Sequence, residues 1–204
     1  MKSESMRFDL QVIASWIRPG SRVLDLGCGN GDLLLHLQTS KEVQGTGIEL
    51  DETRAAFCIE RGLSVLQGDF RQEVADYPDR YFDVVVLSQT LQQVMHPREL
   101  LQELLRIGNR VIVSFPNFGH WRCRLYLLLT GRAPVTEQLP HEWYDTPNIR
   151  VITIRDFKRF LRKASIGLER ELAINTHHHD RRGHVVTRMT NLRATYGIMM
   201  LRNI

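Results

Sequence analysis

Only three cysteines, Cys28, Cys58 and Cys123, occur in the 204 residues, and none forms a Cys-x-x-Cys pair. Their scarcity excludes a disulfide framework and a cysteine-based zinc site, and it fits a reducing, cytoplasmic setting. Long apolar runs are missing as well: nothing approaches the roughly 20 residues that span a bilayer. The first residues, Met-Lys-Ser-Glu-Ser-Met-Arg-Phe-Asp, carry no apolar signal-peptide core, so no membrane attachment is expected. Repeats, low-complexity tracts and an internal domain boundary are absent too, which leaves one domain over residues 1–204 as the expectation. The remaining composition, 43% hydrophobic and 25% charged, is that of a globular protein and not of a disordered or fibrous chain. Charge of one sign is scarce only locally. Residues 1–100 hold 10 basic and 15 acidic side chains and residues 101–204 hold 17 and 8, so a net +4 conceals balances of −5 and +9.

What is present is a strand–helix rhythm. Residues 9–17 read as an amphipathic helix stopped by Pro19-Gly20. Apolar strands over 22–26 and 43–50 are each succeeded by helical character, over 32–38 and 51–61, with Gly62 closing the second helix. Further strands lie over 63–66, 82–87 and 110–115, with a helix over 98–107. The near-continuous apolar run at 82–87 is the pattern of a strand covered on both faces. Such alternation implies right-handed βαβ units and a parallel sheet. After Pro116 it breaks. Residues 117–148 form an insertion rich in glycine and proline, whose Trp121, Trp143 and Tyr144 argue for order. A helix over 153–165 and late strands over 168–174 and 196–201 complete the chain.

Chemistry concentrates in Gly27-Cys-Gly29-Asn-Gly31, a turn between a strand and a helix. Glycines there allow close backbone approach to a ligand, and the helix start offers free N–H groups. Glu49 ends the second strand, where a carboxylate accepts both hydroxyls of a ribose. A dinucleotide loop would need glycine at position 32, where Asp32 stands. The observed spacing suits a ligand with an amino-acid end and no phosphates. Asp25 is placed to face its ammonium, directly or through water, and Asp69, after Gly68, to reach an adenine amino group. Three acids at three strand ends suit S-adenosylmethionine.

The strings Val23-Leu-Asp-Leu-Gly-Cys-Gly-Asn-Gly31, Gly47-Ile-Glu-Leu-Asp51 and Gln67-Gly-Asp69 resemble the motifs of class I S-adenosylmethionine-dependent methyltransferases. Narrower strings, Val86-Leu-Ser-Gln-Thr-Leu-Gln92, Asn117-Phe-Gly-His-Trp-Arg122, Leu128-Leu-Thr-Gly-Arg132 and Glu142-Trp-Tyr-Asp-Thr-Pro-Asn148, resemble the MetW family of methionine biosynthesis proteins. The resemblance runs from about residue 6 to the last residues. It implies an α/β, Rossmann-like class I methyltransferase fold, with a mostly parallel seven-stranded sheet, helices on both faces and an antiparallel C-terminal strand. It implies S-adenosylmethionine or S-adenosylhomocysteine held by Asp25, Gly27, Cys28, Asn30, Gly29, Gly31, Glu49, Leu50, Asp69, Phe70 and Ser88. It also implies a partner, a homoserine O-acyltransferase of the α/β-hydrolase type that depends on it for activity.

A methyltransferase fold does not by itself mean methyl transfer. Transfer needs alignment, and a base only where the acceptor carries a proton. Gln92 and Gln93 stand where many small-molecule methyltransferases place a histidine, and glutamine cannot accept the proton. His96, before Pro97, reads as a turn or cap residue. His120 is the candidate base, set against a role as a hydrogen-bonded loop histidine. Trp121, Trp143 and Tyr144 either wall an acceptor pocket or pack the insertion onto the sheet. Residues 125–129, flanked by Arg122, Arg124 and Arg132, read as a short packed helix or as part of a docking surface. The run His177-His-His-Asp-Arg-Arg-Gly-His184 reads as a solvated loop that lacks the ligands of a tetrahedral site, so no metal is expected. Cys28 is expected as a small buried residue, its thiol pKa open to lowering by the helix start. No RNA-binding appendage and no Asn-Pro-Pro-Tyr string come after the fourth strand, so nucleic acid is not an expected partner. The dispersed arginines favour a basic face for a protein. The competing reading is an active small-molecule methyltransferase.

Overall fold

The computed structural model describes residues 6–136, 139, 141–176 and 180–204. Its strands are β1 (Arg22–Leu26), β2 (Gln44–Glu49), β3 (Ser64–Gln67), β4 (Phe82–Ser88), β5 (Gly108–Pro116), β6 (Gly167–Thr176), β7 (Gly183–Val185) and β8 (Tyr196–Arg202). They form one sheet in the order β3-β2-β1-β4-β5-β8-β6-β7. The first five are parallel, and β8 runs antiparallel to its neighbours β5 and β6. The sheet therefore has eight strands where seven were expected. The additional β7 is a three-residue strand in the basic segment after residue 180, too short to show a period of its own.

The helices are α1 (Phe8–Trp16), α2 (Asp32–Lys41), α3 (Glu52–Glu60), α4 (Phe70–Glu73), α5 (Pro97–Ile107), α6 (Trp121–Thr130), α7 (Ile154–Lys163) and α8 (Thr190–Arg193). Two of them begin as their sequences dictate. Asp51 caps α3 by accepting from Arg54 N at 2.9 Å, and Pro97 occupies the first turn of α5. Alternation along β4 sends Val85 and Leu87 to the cluster that holds Leu101 and Leu104 of α5 and Phe157 of α7. Val84 and Val86 go to the opposite cluster, with Ile13 of α1 and Leu37 of α2. Covering on both faces explains the continuous apolar run of this strand. Among the described residues no helix is long and apolar enough to cross a membrane.

The break after β5 is organised by Asn117. Its buried amide donates to Asn191 O and Ala194 O, and its Oδ1 accepts from Gly119 N and Ile154 N. One side chain thus ties the start of the insertion to the starts of α7 and the β8 approach. The next helix, α6, departs from the expected packed helix: only its Cys123 is buried, while Leu128 and Leu129 are 80% and 73% exposed. Trp143 and Tyr144 also stand in solvent, in contact with each other at 5.7 Å. They do not pack on the sheet. Apolar character in this segment does not report burial.

Candidate functional site

The β1–α2 turn is built on left-handed backbone at Gly29 (φ +57°) and Gly31 (φ +75°). The two glycines serve different ends. Nothing lies within 4 Å of a Cβ placed on Gly29, which leaves its backbone open to a ligand. A Cβ on Gly31 would meet Leu63 and lie 2.9 Å from Cys58 Sγ, so this glycine lets α2 and α3 pack together. Buried Glu49 closes the turn from the end of β2: its Oε2 accepts from Gly29 N at 2.8 Å and its Oε1 from Asp51 N at 3.0 Å. Each carboxylate oxygen keeps a further lone pair for a ligand hydroxyl.

A cavity of about 860 Å³ opens at these strand ends. Of the expected contacts, Asp25, Gly27, Cys28, Gly29, Asn30, Glu49, Leu50, Phe70 and Ser88 line it, and Gly31 and Asp69 do not. Asp69 instead caps α4 and pairs with Arg71 (Oδ2 to Nη2, 2.5 Å), which holds its carboxyl below the usual range. Asp25 is 4% exposed, and its carboxylate makes no hydrogen bond to a described group. Burial pushes its carboxyl up to about 7, against the opposing pull of the Arg7 guanidinium and with a smaller push from Glu49. Burial also drives the Cys28 thiol well up, with the Asp25 charge adding to it, so the helix start does not make a thiolate there.

His120 lies elsewhere. It caps α6, with Nδ1 accepting from Arg122 N at 3.3 Å, and burial with the nearby Arg122 charge holds its imidazole below the ordinary value. It lines a separate cavity of about 270 Å³ with Cys123, Tyr126 and Thr195, and not the large one. The geometry is that of the hydrogen-bonded loop histidine. His96 immediately precedes α5, as a turn residue would. His177, His178 and His179 lie outside the described residues, among which no group of three or more metal-ligating side chains occurs.

A family model described as "Methionine biosynthesis protein MetW" matches residues 7–201. The chain belongs to the MetW family. A relative from Rhodopirellula baltica, named bifunctional methionine biosynthesis protein MetXA/MetW, is 33% identical over 177 residues, 82% of this chain. The MetW chain spans 28% of that relative's length. An S-adenosylmethionine-dependent methyltransferase from Archaeoglobus fulgidus shares the fold at a TM-score of 0.69 and 15% identity, covering 96% of this chain and 91% of its own. So does the [4+2]-cyclase SpnF, at a TM-score of 0.64 and 18% identity, with 95% and 80% covered.

Tertiary structure adds residues to the MetW cavity beyond the ligand contacts that the resemblance implied. Arg7, Gln89, Gln92, Gln93, His141 and Asn148 all line it. Gln89 leaves β4 with φ +53°, a backbone conformation costly for a residue with a Cβ and enriched at functional sites. Its Nε2 donates to the buried Asp9 Oδ2 at 2.7 Å, which also accepts from Arg7 Nη2 at 3.2 Å. Gln92 donates from Nε2 to Gln89 O at 2.6 Å. Two buried side-chain atoms among the described residues have no hydrogen-bond partner, Arg7 Nε and Gln92 Oε1, and both residues line this cavity. Arg7 carries no signal in the sequence because it precedes every motif. Gln89 and Gln92 lie in the Ser-Gln-Thr-Leu-Gln string, whose narrowness is the signal that points to them.

Proposed function

We propose that this MetW chain binds S-adenosylmethionine or S-adenosylhomocysteine in the large cavity and serves a homoserine O-acyltransferase as a partner subunit. The observation that carries the partner is the Rhodopirellula relative, which joins MetXA and MetW in one named protein. Fusion keeps two units at high effective concentration, an arrangement that suits proteins acting together. The ligand is supported by fit: an open Gly29, an Asp25 carboxylate that makes no hydrogen bond to a described group, and a Glu49 carboxylate at the end of β2 with lone pairs to spare. No phosphate-binding demand is placed on a turn with Asp32 at its helix start.

A docking surface is supported by α6. Trp121, Leu125, Leu128 and Leu129 recur at i, i+4, i+7 and i+8, a single helix stripe, and all are exposed. The helix carries Arg122 and Arg124 and no acidic residue, and apolar anchors among arginines suit an interface. The test is the acyltransferase of the same organism, assayed with and without this chain. Its activity is expected to rise about 5- to 150-fold, the usual span of coupling between sites. The double variant Leu128→Asp, Leu129→Asp is expected to weaken association about 10- to 100-fold. Both side chains are exposed, so no core contact is lost, and two acids in the last turn of α6 should cost the fold only about 1–2 kcal/mol. An acyltransferase that is fully active alone would sink this reading.

A second reading, methyl transfer to a small molecule, is favoured by one observation: His141 brings an imidazole to the large cavity, which His120 does not. Incubation with methyl-labelled S-adenosylmethionine and a metabolite extract decides between them. No label above blank is expected. Incorporation by the parent that disappears in His141→Ala would establish the enzyme instead.

A further inference from the structure

The segment that carries Trp143 and Tyr144 has a tip and a base with different surroundings. Asp145 N donates to Glu142 O at 3.1 Å, which closes a β-turn with the two aromatic residues at its centre. Turns favour glycine, proline, asparagine and aspartate for their backbone habits, and a large ring does nothing for the turn itself. Trp143 and Tyr144 are 75% and 72% exposed, and neither joins an apolar cluster of the described residues. Exposed tryptophan and tyrosine are the residue types enriched at interfaces, where each covers about 150–250 Å². Glu142 and Asp145 flank the pair and are exposed too. The tip is therefore an aromatic pair between two acids, which complements an apolar pocket rimmed by cations. The α6 stripe, set among arginines, has the opposite charge, and two contacts of opposite sign fix how one partner is oriented.

The base of the same turn belongs to the large cavity. His141 on one side of the tip, and Pro147 and Asn148 on the other, line it. Asn148 N donates to Thr146 Oγ1 at 3.0 Å, and Arg150 N donates to the backbone oxygen of cavity-lining Gln92 at 2.9 Å. Neither Trp143 nor Tyr144 lines the cavity. A molecule held there faces the two legs of the turn and leaves the tip free for a partner.

We propose that the Trp143–Tyr144 turn seats in an apolar, cation-rimmed pocket of the acyltransferase partner, and that a nucleoside in the large cavity strengthens this contact. This rests on the partner and ligand readings above and adds the element through which the two sites act on each other. The occupant is the acyltransferase because the Rhodopirellula relative joins MetXA to MetW in one named protein. A two-fold contact of the tip with its own copy would set Glu142 and Asp145 against the same acids. A ligand against His141 and Asn148 fixes the legs, so the partner has less of the turn left to order. By linkage the partner tightens the ligand by the same factor.

The test is association of the full chain with the acyltransferase, measured by biolayer interferometry with and without saturating S-adenosylhomocysteine. The parent's affinity is expected to rise about 5- to 150-fold with the ligand. Trp143→Ala, Tyr144→Ala is expected to weaken association about 10- to 100-fold and to shrink the ligand's effect below about twofold. Its own calorimetric affinity for S-adenosylhomocysteine and its melting temperature should match the parent's, since neither ring lines the cavity or packs in a cluster. Leu128→Asp, Leu129→Asp should weaken association but keep the ligand's effect, which separates a second contact from a coupled one. Unchanged association in the aromatic variant would overturn the inference, and so would a ligand effect that survives in it. A parent affinity that S-adenosylhomocysteine does not raise overturns it as well. Self-association of the parent that the aromatic variant abolishes would assign the turn to a second copy instead. A parent that binds no acyltransferase, or no S-adenosylhomocysteine, defeats the corresponding reading above, a failure seen before any variant is compared.

Discussion

Replacing Glu49 by alanine is expected to weaken S-adenosylhomocysteine binding about 10²- to 10⁴-fold, the loss of two charge-assisted hydrogen bonds at roughly 1.5–3 kcal/mol each. The size reflects the double duty of this carboxylate. It receives the Gly29 and Asp51 amides at 2.8 and 3.0 Å, which shapes the turn, and its remaining lone pairs face the cavity. Alanine removes the ribose acceptors and also strands two backbone N–H groups, so the chain should lose about 1–3 kcal/mol of stability. Glu49→Gln restores neither role in full. Its amide keeps the volume, but its NH₂ must face either Gly29 N or Asp51 N, a donor against a donor. Glutamine should therefore recover little affinity. Calorimetry and thermal melting on the three proteins check this, and binding by Glu49→Ala within threefold of the parent would remove Glu49 from the site.

Binding should also tighten with pH, because Asp25 must ionise to face an ammonium. Its carboxyl, raised by burial, keeps its proton to about 7 in the unliganded chain. Affinity is expected to improve by up to about tenfold per pH unit between roughly pH 5 and 7, then level off. Near pH 6 each ligand bound should release close to one proton, seen as a dependence of the measured heat on buffer ionisation enthalpy. The same group has the opposite effect on the unliganded fold. An unfolded aspartate gives up its proton near 3.8, so between that value and about 7 the folded state binds more protons. Stability must then fall as pH rises across that window, by something on the order of 4 kcal/mol for this residue. Asp25→Asn should flatten both dependences, melt higher than the parent at pH 8, and bind more weakly there. Equal affinity of the parent at pH 5.5 and pH 8 would show that Asp25 does not meet the ligand's charge.

The large cavity separates what local pattern can and cannot convey. Gly27, Gly29 and Glu49 were legible because a glycine turn between a strand and a helix, and an acid ending the next strand, are features of short segments. Asp69 was legible as a strand-end acid, but strand-end placement does not reveal that Arg71, two residues on, occupies its carboxylate. His120 shows a different limit. Its place after β5 is right, yet the Asn117 hub turns the chain so that this histidine caps α6 and faces the smaller cavity. His141, far along the insertion, reaches the large one instead. The apolar residues of α6 are ambiguous in the same way. A row of leucines has the same composition whether it packs inward or faces out, and its stripe faces out.

By itself the sequence determined the alternation of strands and helices, the glycine turn with its acid partner, and the resemblance to MetW. Each of these depends on residues close together in the chain, through periodicity, backbone freedom and spacing. Only the tertiary structure decided that the Asp25 carboxylate makes no hydrogen bond to a described group, that His141 and not His120 lines the large cavity, and that Arg7 and Gln92 line it too. Burial and hydrogen-bond satisfaction are sums over every neighbour in space, and those neighbours come from opposite ends of this chain: residues 7–11 are held by residues 180–183.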